Sequence, residues 1–217
     1  MRCIRGDEFM YVFSRLLTLK GSPRQSMAWA TEITAYVNAH SDLNVSLWST
    51  QFGNPVGTVA WTAQVDSHAA LAAATAGLIA DNGYYDLLEK AADLVNAPAQ
   101  DAFRLVVHGD PGAAPIGSFA GLITAVVAGG KQADAMAWGV ETSQHVTAVT
   151  GIPVAFCSDV YGTFGQVTWI AIYPDLAMLD KAQEVLGSDA DYAKRLAKAG
   201  DLFEPGSGST RLSTRIA

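Results

Sequence analysis

The chain repeats itself, so it must fold as two copies of one supersecondary plan. Met27-Ala28-Trp29 and Glu32 recur 109 residues later as Met136-Ala137-Trp138 and Glu141, and Val37, Val45, Ser49 and Gly53 fall on Val146, Val154, Ser158 and Gly162. One residue then drops out of a glycine-rich turn, after which Gly57, Val59, Trp61 and Ala63 match Gly165, Val167, Trp169 and Ala171 at an offset of 108. That offset holds through Leu71 and Leu179, Asp81 and Asp189, Tyr84 and Tyr192, Leu88 and Leu196, and Asp93-Leu94 and Asp201-Leu202. A single gap in a turn, where length changes cost least, is how a tandem duplication drifts.

Each copy reads as strand, helix, two strands, helix, strand. In the first, residues 11–19 alternate and are rich in Tyr, Val, Phe and Leu, a strand pattern. Ser22-Pro23-Arg24-Gln25 has the form of a capping box with Pro at the first helical position, opening a helix to about Ala39. Residues 45–51 and 58–65 are β-rich runs joined by Phe52-Gly53-Asn54-Pro55-Val56-Gly57, a hairpin signal. Asp66 is the expected cap of an Ala-rich helix over 68–80, Asp81-Asn82-Gly83 breaks it before a second helical piece over 84–95, and residues 103–108 close the copy as a fourth strand. The boundaries that follow are an extension over 1–9, a first unit over 10–109, a turn-rich linker over 110–116 and a second unit over 117–217.

Composition removes several function classes. A net charge of −7 with 14 basic residues and no local Lys/Arg cluster leaves no footprint for a phosphate backbone, so nucleic acid is not an expected partner. The longest apolar stretches, 69–80 and 117–128, are too short to span a bilayer, and residues 1–9 lack the apolar run of a secretory signal, so a cytoplasmic protein is expected. Cys3 and Cys157 cannot form a disulfide framework and have no zinc-ligand spacing to a second sulfur or His; free thiols and no metal are expected.

The split β-α-β-β-α-β order, together with Leu78-x-x-Asp81-x-x-Tyr84-x-x-x-Leu88 and its twin Leu186-x-x-Asp189-x-x-Tyr192-x-x-x-Leu196, resembles the dimeric α+β barrel superfamily. Antibiotic-biosynthesis monooxygenases, NIPSNAP-like proteins and heme-degrading monooxygenases are among its members. The resemblance implies an α+β fold of two tandem ferredoxin-like repeats forming an intrachain pseudo-dimeric barrel, with helices outside. It also implies a monomer or homodimer and a ligand cavity between the sheets. The heme-degrading members resemble a pattern of Asn on the first strand, Trp on the third and His on the following helix. Trp61 and His68 fit two of those places, but Ser14 and Arg15 stand where the Asn would, and Leu176 replaces His68 in the second copy. No cofactor is therefore expected.

Candidate residues come from what both copies keep and from polarity out of place. Trp29, Glu32 and Tyr36 share a helix face, and the second copy puts Trp138, Glu141 and His145 there. Glu141 and His145, an i, i+4 pair, could move a proton; the competing reading is a helix anchor with satisfied polar groups. Trp61 and Trp169, as alternate strand residues, are expected to face the barrel, against a core-packing alternative. Arg15 in an apolar strand needs a partner or an anionic ligand. Trp48, Arg15, Thr62 and Gln64 correspond to Cys157, Thr124, Ile170 and Ile172, which makes the first copy the more polar one. The expected ligand residues are thus Arg15, Trp48, Trp61, Thr62, Gln64 and Trp169, with Arg15, Glu141 and His145 as candidates for charge or proton handling. Two functions remain open: a metal-free oxygenase- or isomerase-like enzyme acting on a small apolar or aromatic molecule, and a binding or structural module working through its surface.

Overall fold

The computed structural model describes residues 10–217, so the expected extension lies outside the described residues. The first copy comprises β1 (Tyr11–Thr18), α1 (Pro23–His40), β2 (Ser46–Phe52), β3 (Thr58–Val65), α2 (His68–Ile79), α3 (Asn82–Lys90) and β4 (Gln100–His108). The second comprises β5 (Phe119–Val126), α4 (Gln132–Thr150), β6 (Val154–Tyr161), β7 (Gln166–Tyr173), α5 (Leu176–Ser188), α6 (Ala190–Lys198) and β8 (Ser209–Arg215). Two details of capping differ from expectation. Ser22 makes no side-chain cap bond, because Pro23 holds the first turn by its fixed φ instead. Ser67, one residue beyond Asp66, caps α2 by accepting from the Ala70 amide.

The eight strands close in the order β1-β3-β2-β8-β5-β7-β6-β4, and every neighbouring pair is antiparallel. Each copy supplies a four-stranded sheet, and the seams β2–β8 and β4–β6 join them. The barrel is complete within one chain and leaves none of these strands with an open edge.

Alternation sorts the strand residues onto two buried faces. Outward, Leu47, Val59, Trp61 and Ala63 pack under Trp29, Ala30 and Ile33 of α1 and Leu87 of α3. The second copy does the same with Phe156, Val167, Trp169 and Ala171 under α4, where Gly139 is required: a Cβ there would lie 2.3 Å from the Phe156 ring. Inward, Ala155, Cys157 and Ile170 form a separate cluster with Val106, Leu122 and Ile172.

The register also corrects one equivalence. Arg15 lies opposite Trp61 and Ile123 opposite Trp169, so Ile123, not Thr124, is the counterpart of Arg15. The shift arises because the turn before α4 carries one residue more than the turn before α1.

The tryptophans kept in both copies bind helix to helix. Trp29 donates its indole N–H to the Leu87 carbonyl at 2.8 Å, and Trp138 donates to the Arg195 carbonyl at 3.0 Å, the equivalent position in α6. Each indole also meets the sheet tryptophan edge-on, Trp29 against Trp61 and Trp138 against Trp169. Trp29→Ala should destabilise the protein by about 3–5 kcal/mol, the usual range for truncating a buried aromatic side chain. Urea unfolding would check it, with Trp29→Phe falling between wild type and Ala.

Candidate functional site

The paired acidic and helix-face residues turn out to clamp the outer helices. Asp81 and Asp189 are N-caps of α3 and α6, accepting from the amides of Gly83 and Tyr192. This is what the Asp of the repeated Leu-x-x-Asp-x-x-Tyr motif does in both copies. Tyr36 donates to the Asp81 carboxylate at 2.9 Å, and His145, its counterpart, lies 3.0 Å from Asp189 Oδ1. Gly83 makes room for the first contact, since a Cβ there would lie 2.3 Å from the Tyr36 hydroxyl. The Glu141–His145 pair expected from spacing does not form. Glu141 reaches across to Arg195 at 3.5 Å, as Glu32 reaches Lys90 at 3.2 Å, and both pairs lie on the exposed helical layer.

The Tyr36 hydroxyl holds the Asp81 carboxyl below its ordinary value, with the Gly83 amide assisting. A lowered folded pKa contributes stability above the unfolded value, which is lost as pH falls through the folded one. Tyr36→Phe should therefore lower the melting temperature at neutral pH, and the difference from wild type should shrink in the acid range as Asp81 protonates. Melting curves from neutral to strongly acidic pH would check this.

The candidate ligand residues divide between three environments. Trp61 and Trp169 face the helices, not the barrel: Trp61 donates to Thr34 Oγ1 at 2.8 Å and Trp169 to the Gly139 carbonyl at 3.3 Å. The parity argument fails because both faces of the sheet are buried, and alternation does not say which face a residue takes. Arg15 is on the outer face too, half-exposed and paired through two contacts of 2.9 and 2.7 Å with Asp101 on the neighbouring strand. Trp48, Thr62 and Gln64 do point to the barrel side, and Trp48 donates to Thr62 Oγ1 at 2.9 Å. Cys157 is fully buried in the barrel, and burial pushes its thiol up to about 12, so it stays protonated and unreactive.

The aromatic pocket of the molecule lies elsewhere, outside the barrel. It has a volume of about 520 Å3, is broadly open to solvent, and lies between α2 and the outer face of β1 and β4, with Tyr161 of β6 at its edge. Two causes produce it. α2 is rich in alanine, sets Ala72 and Ala76 in the pocket wall and buries only Leu78, so it fills little volume. Beneath it the strands present Phe13 and Phe103. His68 stands at the helix start within an aromatic box. Its ring centroid is 4.6 Å from Phe103, 5.1 Å from Tyr11 and 5.7 Å from Tyr161, and Tyr11 stacks on Phe103 at 4.8 Å. The second copy has no such box. Leu176 replaces His68, and Gly121, opposite Ala171 as Phe13 is opposite Ala63, lies beneath the Tyr173 ring.

Tyr11, Phe13, Phe103 and Tyr161 were missed in the sequence because strand aromatics there look like core; the available signal was the bulk of Phe13 and Phe103 set against the alanines of α2. A heme does not fit the pattern that Trp61 and His68 suggested, because Trp61 faces α1 and takes no part in the pocket that His68 lines. Among the described residues, no group of three or more His, Cys, Asp or Glu side chains is placed to hold a metal ion, and no helix is long and apolar enough to cross a membrane.

No family model matches the chain, and no curated protein matches it. Solved structures do. A putative monooxygenase from Fusobacterium nucleatum is 9% identical, with 96% of this chain and 93% of that one covered at a TM-score of 0.72. An anthrone oxidase-like protein is 14% identical, with 98% and 93% covered at 0.68. A putative monooxygenase from Lactobacillus acidophilus is 12% identical, with 96% and 94% covered at 0.63. At such identities the likeness is one of fold, and it extends over nearly the whole of each chain. The chain has the dimeric α+β barrel fold, with both ferredoxin-like halves carried on one polypeptide.

Proposed function

We propose that this protein binds a small, planar aromatic molecule in the pocket beneath α2. The observation that carries the reading is a pocket of about 520 Å3 walled by Phe13, His68, Phe103 and Tyr161, with Tyr11 packed on His68 and Phe103 behind it. Ligand sites of about 300–1,000 Å3 with apolar walls and few polar groups are the rule for small molecules. Aromatic walls favour flat rings by stacking and edge contacts.

His68 gives the site a reactive group. An imidazole within reach of a bound ring can accept a proton from a phenol or an activated C–H, leaving an anion that the ring delocalises. Such an anion can be isomerised, or oxidised by dioxygen without a metal. Two of the similar structures are described as monooxygenases and a third as anthrone oxidase-like, which favours oxidation.

The test is native mass spectrometry of the purified chain followed by titration with anthrone, read by fluorescence. Wild type should bind with one site, and Ala76→Phe, which fills the pocket from the helix side, should weaken binding at least about tenfold. His68→Gln should retain binding and lose turnover. Equal affinity of wild type and Ala76→Phe would sink the reading and turn attention to the exposed Phe52, Val56 and Phe164 of the hairpins.

A further inference from the structure

Inside the barrel, toward the β6–β7 hairpin, a buried ion pair shares the interior with an unpartnered arginine. Arg104 of β4 is 5% exposed, and its Nε lies 2.9 Å from Asp159 Oδ1 across the β4–β6 seam. Arg104 also donates to Ser14 Oγ at 2.7 Å and to Thr168 Oγ1 at 3.2 Å, and Gln166 donates to Asp159 Oδ2 at 2.9 Å. Arg211 of β8 completes the group. It is half-buried, its Nε is shielded from solvent, and its side chain makes no hydrogen bond to a described residue. Burial and the neighbouring Arg104 lower its pKa, with Asp159 partly opposing them. Arg215, the other inward arginine, is already committed to the carbonyls of Ala217 and Ala114.

The fold does not require this chemistry. The two copies build equivalent halves of one barrel, so each position has a mate on the opposite wall at the same end. The mates of Arg104 and Asp159 are Ser213 and Thr50, paired across the β2–β8 seam, and the mate of Arg211 is Ala102. The equivalent seam is therefore closed by neutral side chains. Burying ions costs more than their mutual attraction returns unless every donor is satisfied, and a second guanidinium beside a single carboxylate adds repulsion. An arrangement that stability disfavours and topology does not demand points to a ligand of opposite charge.

We propose that the Arg104–Asp159–Arg211 cluster is a binding site for a small oxyanion, a carboxylate or phosphate group, which Arg211 and Arg104 hold with charge-assisted hydrogen bonds. The charge count agrees, since two guanidiniums and one carboxylate leave one positive charge for a monoanion. Arg211 supplies the free planar donors that oxyanions take in pairs. Gly162, in the hairpin, packs closely on the carboxylate: a Cβ there would lie 3.1 Å from Asp159 Oδ2. This site is separate from the aromatic pocket and does not depend on it.

Isothermal titration of the full chain with sodium phosphate and with sodium acetate, against chloride at matched ionic strength, tests the proposal and separates the two oxyanion classes. One of the two should bind saturably. Arg211→Gln should weaken that binding about tenfold or more, the equivalent of one charge-assisted hydrogen bond, while Arg24→Gln on the exposed start of α1 leaves it unchanged. Asp159→Asn should tighten it, because the internal carboxylate competes with the ligand for Arg104. Should Arg211→Gln fail to fold, the Asp159→Asn comparison decides. Absence of binding by either anion beyond chloride, equal binding by Arg211→Gln, or unchanged affinity in Asp159→Asn would overturn the site.

Discussion

Closure of the sheet is the constraint on which the rest depends. A four-stranded ferredoxin-like sheet exposes a row of unpaired N–H and C=O groups at each edge, and two such sheets satisfy one another only by pairing both edges at once. The seams β2–β8 and β4–β6 do this. Once closed, the sheet has an inside that must be filled and an outside that must be covered, so strand residues of both parities are drawn into packed surroundings. The helices then have one task, to cover the outer face. The Trp29 and Trp138 bonds to helix carbonyls and the Asp81 and Asp189 caps fix α1 against α3 and α4 against α6 over that face.

The duplication, the element order and the hairpins were legible in the sequence, because they rest on local periodicity and turn chemistry. What each kept residue faces was not. In a sheet covered on one side, alternation would place Trp61 inside or outside; in a barrel jacketed by helices both sides carry apolar clusters and the pattern is silent. The first-strand register was lost for a similar reason: one extra residue in the turn before α4 shifts Arg15 from Thr124 to Ile123, and no repeated residue in β1 or β5 marks the slip. The argument that singled out Arg15, a charge in an apolar strand, applied with greater force to Arg104 in Phe103-Arg104-Leu105-Val106. Arg15 found Asp101 on the surface, whereas Arg104 lies inside.

The two faces of the first copy offer two different chemical environments. Under α2 the surroundings are aromatic, with His68 and Asp101 as polar side chains at the wall; within the barrel they are ionic and hydroxyl-lined. Phe103 and Arg104 are consecutive in β4 and point into one environment each. A strand that alternates between an oily and a charged neighbour keeps the two apart by the pleat alone, with no loop or insertion needed.

Joining the halves covalently has a consequence for how such a barrel can change. In a dimer of identical chains every substitution appears at both seams, so an ion pair placed at one would be placed at the other, and the interior would hold twice the charge. Here Arg104 and Asp159 occur at one seam while Thr50 and Ser213 serve the other. The fused chain is freed from symmetry, and each seam of the barrel can drift toward its own chemistry while its mate continues simply to hold the cylinder shut.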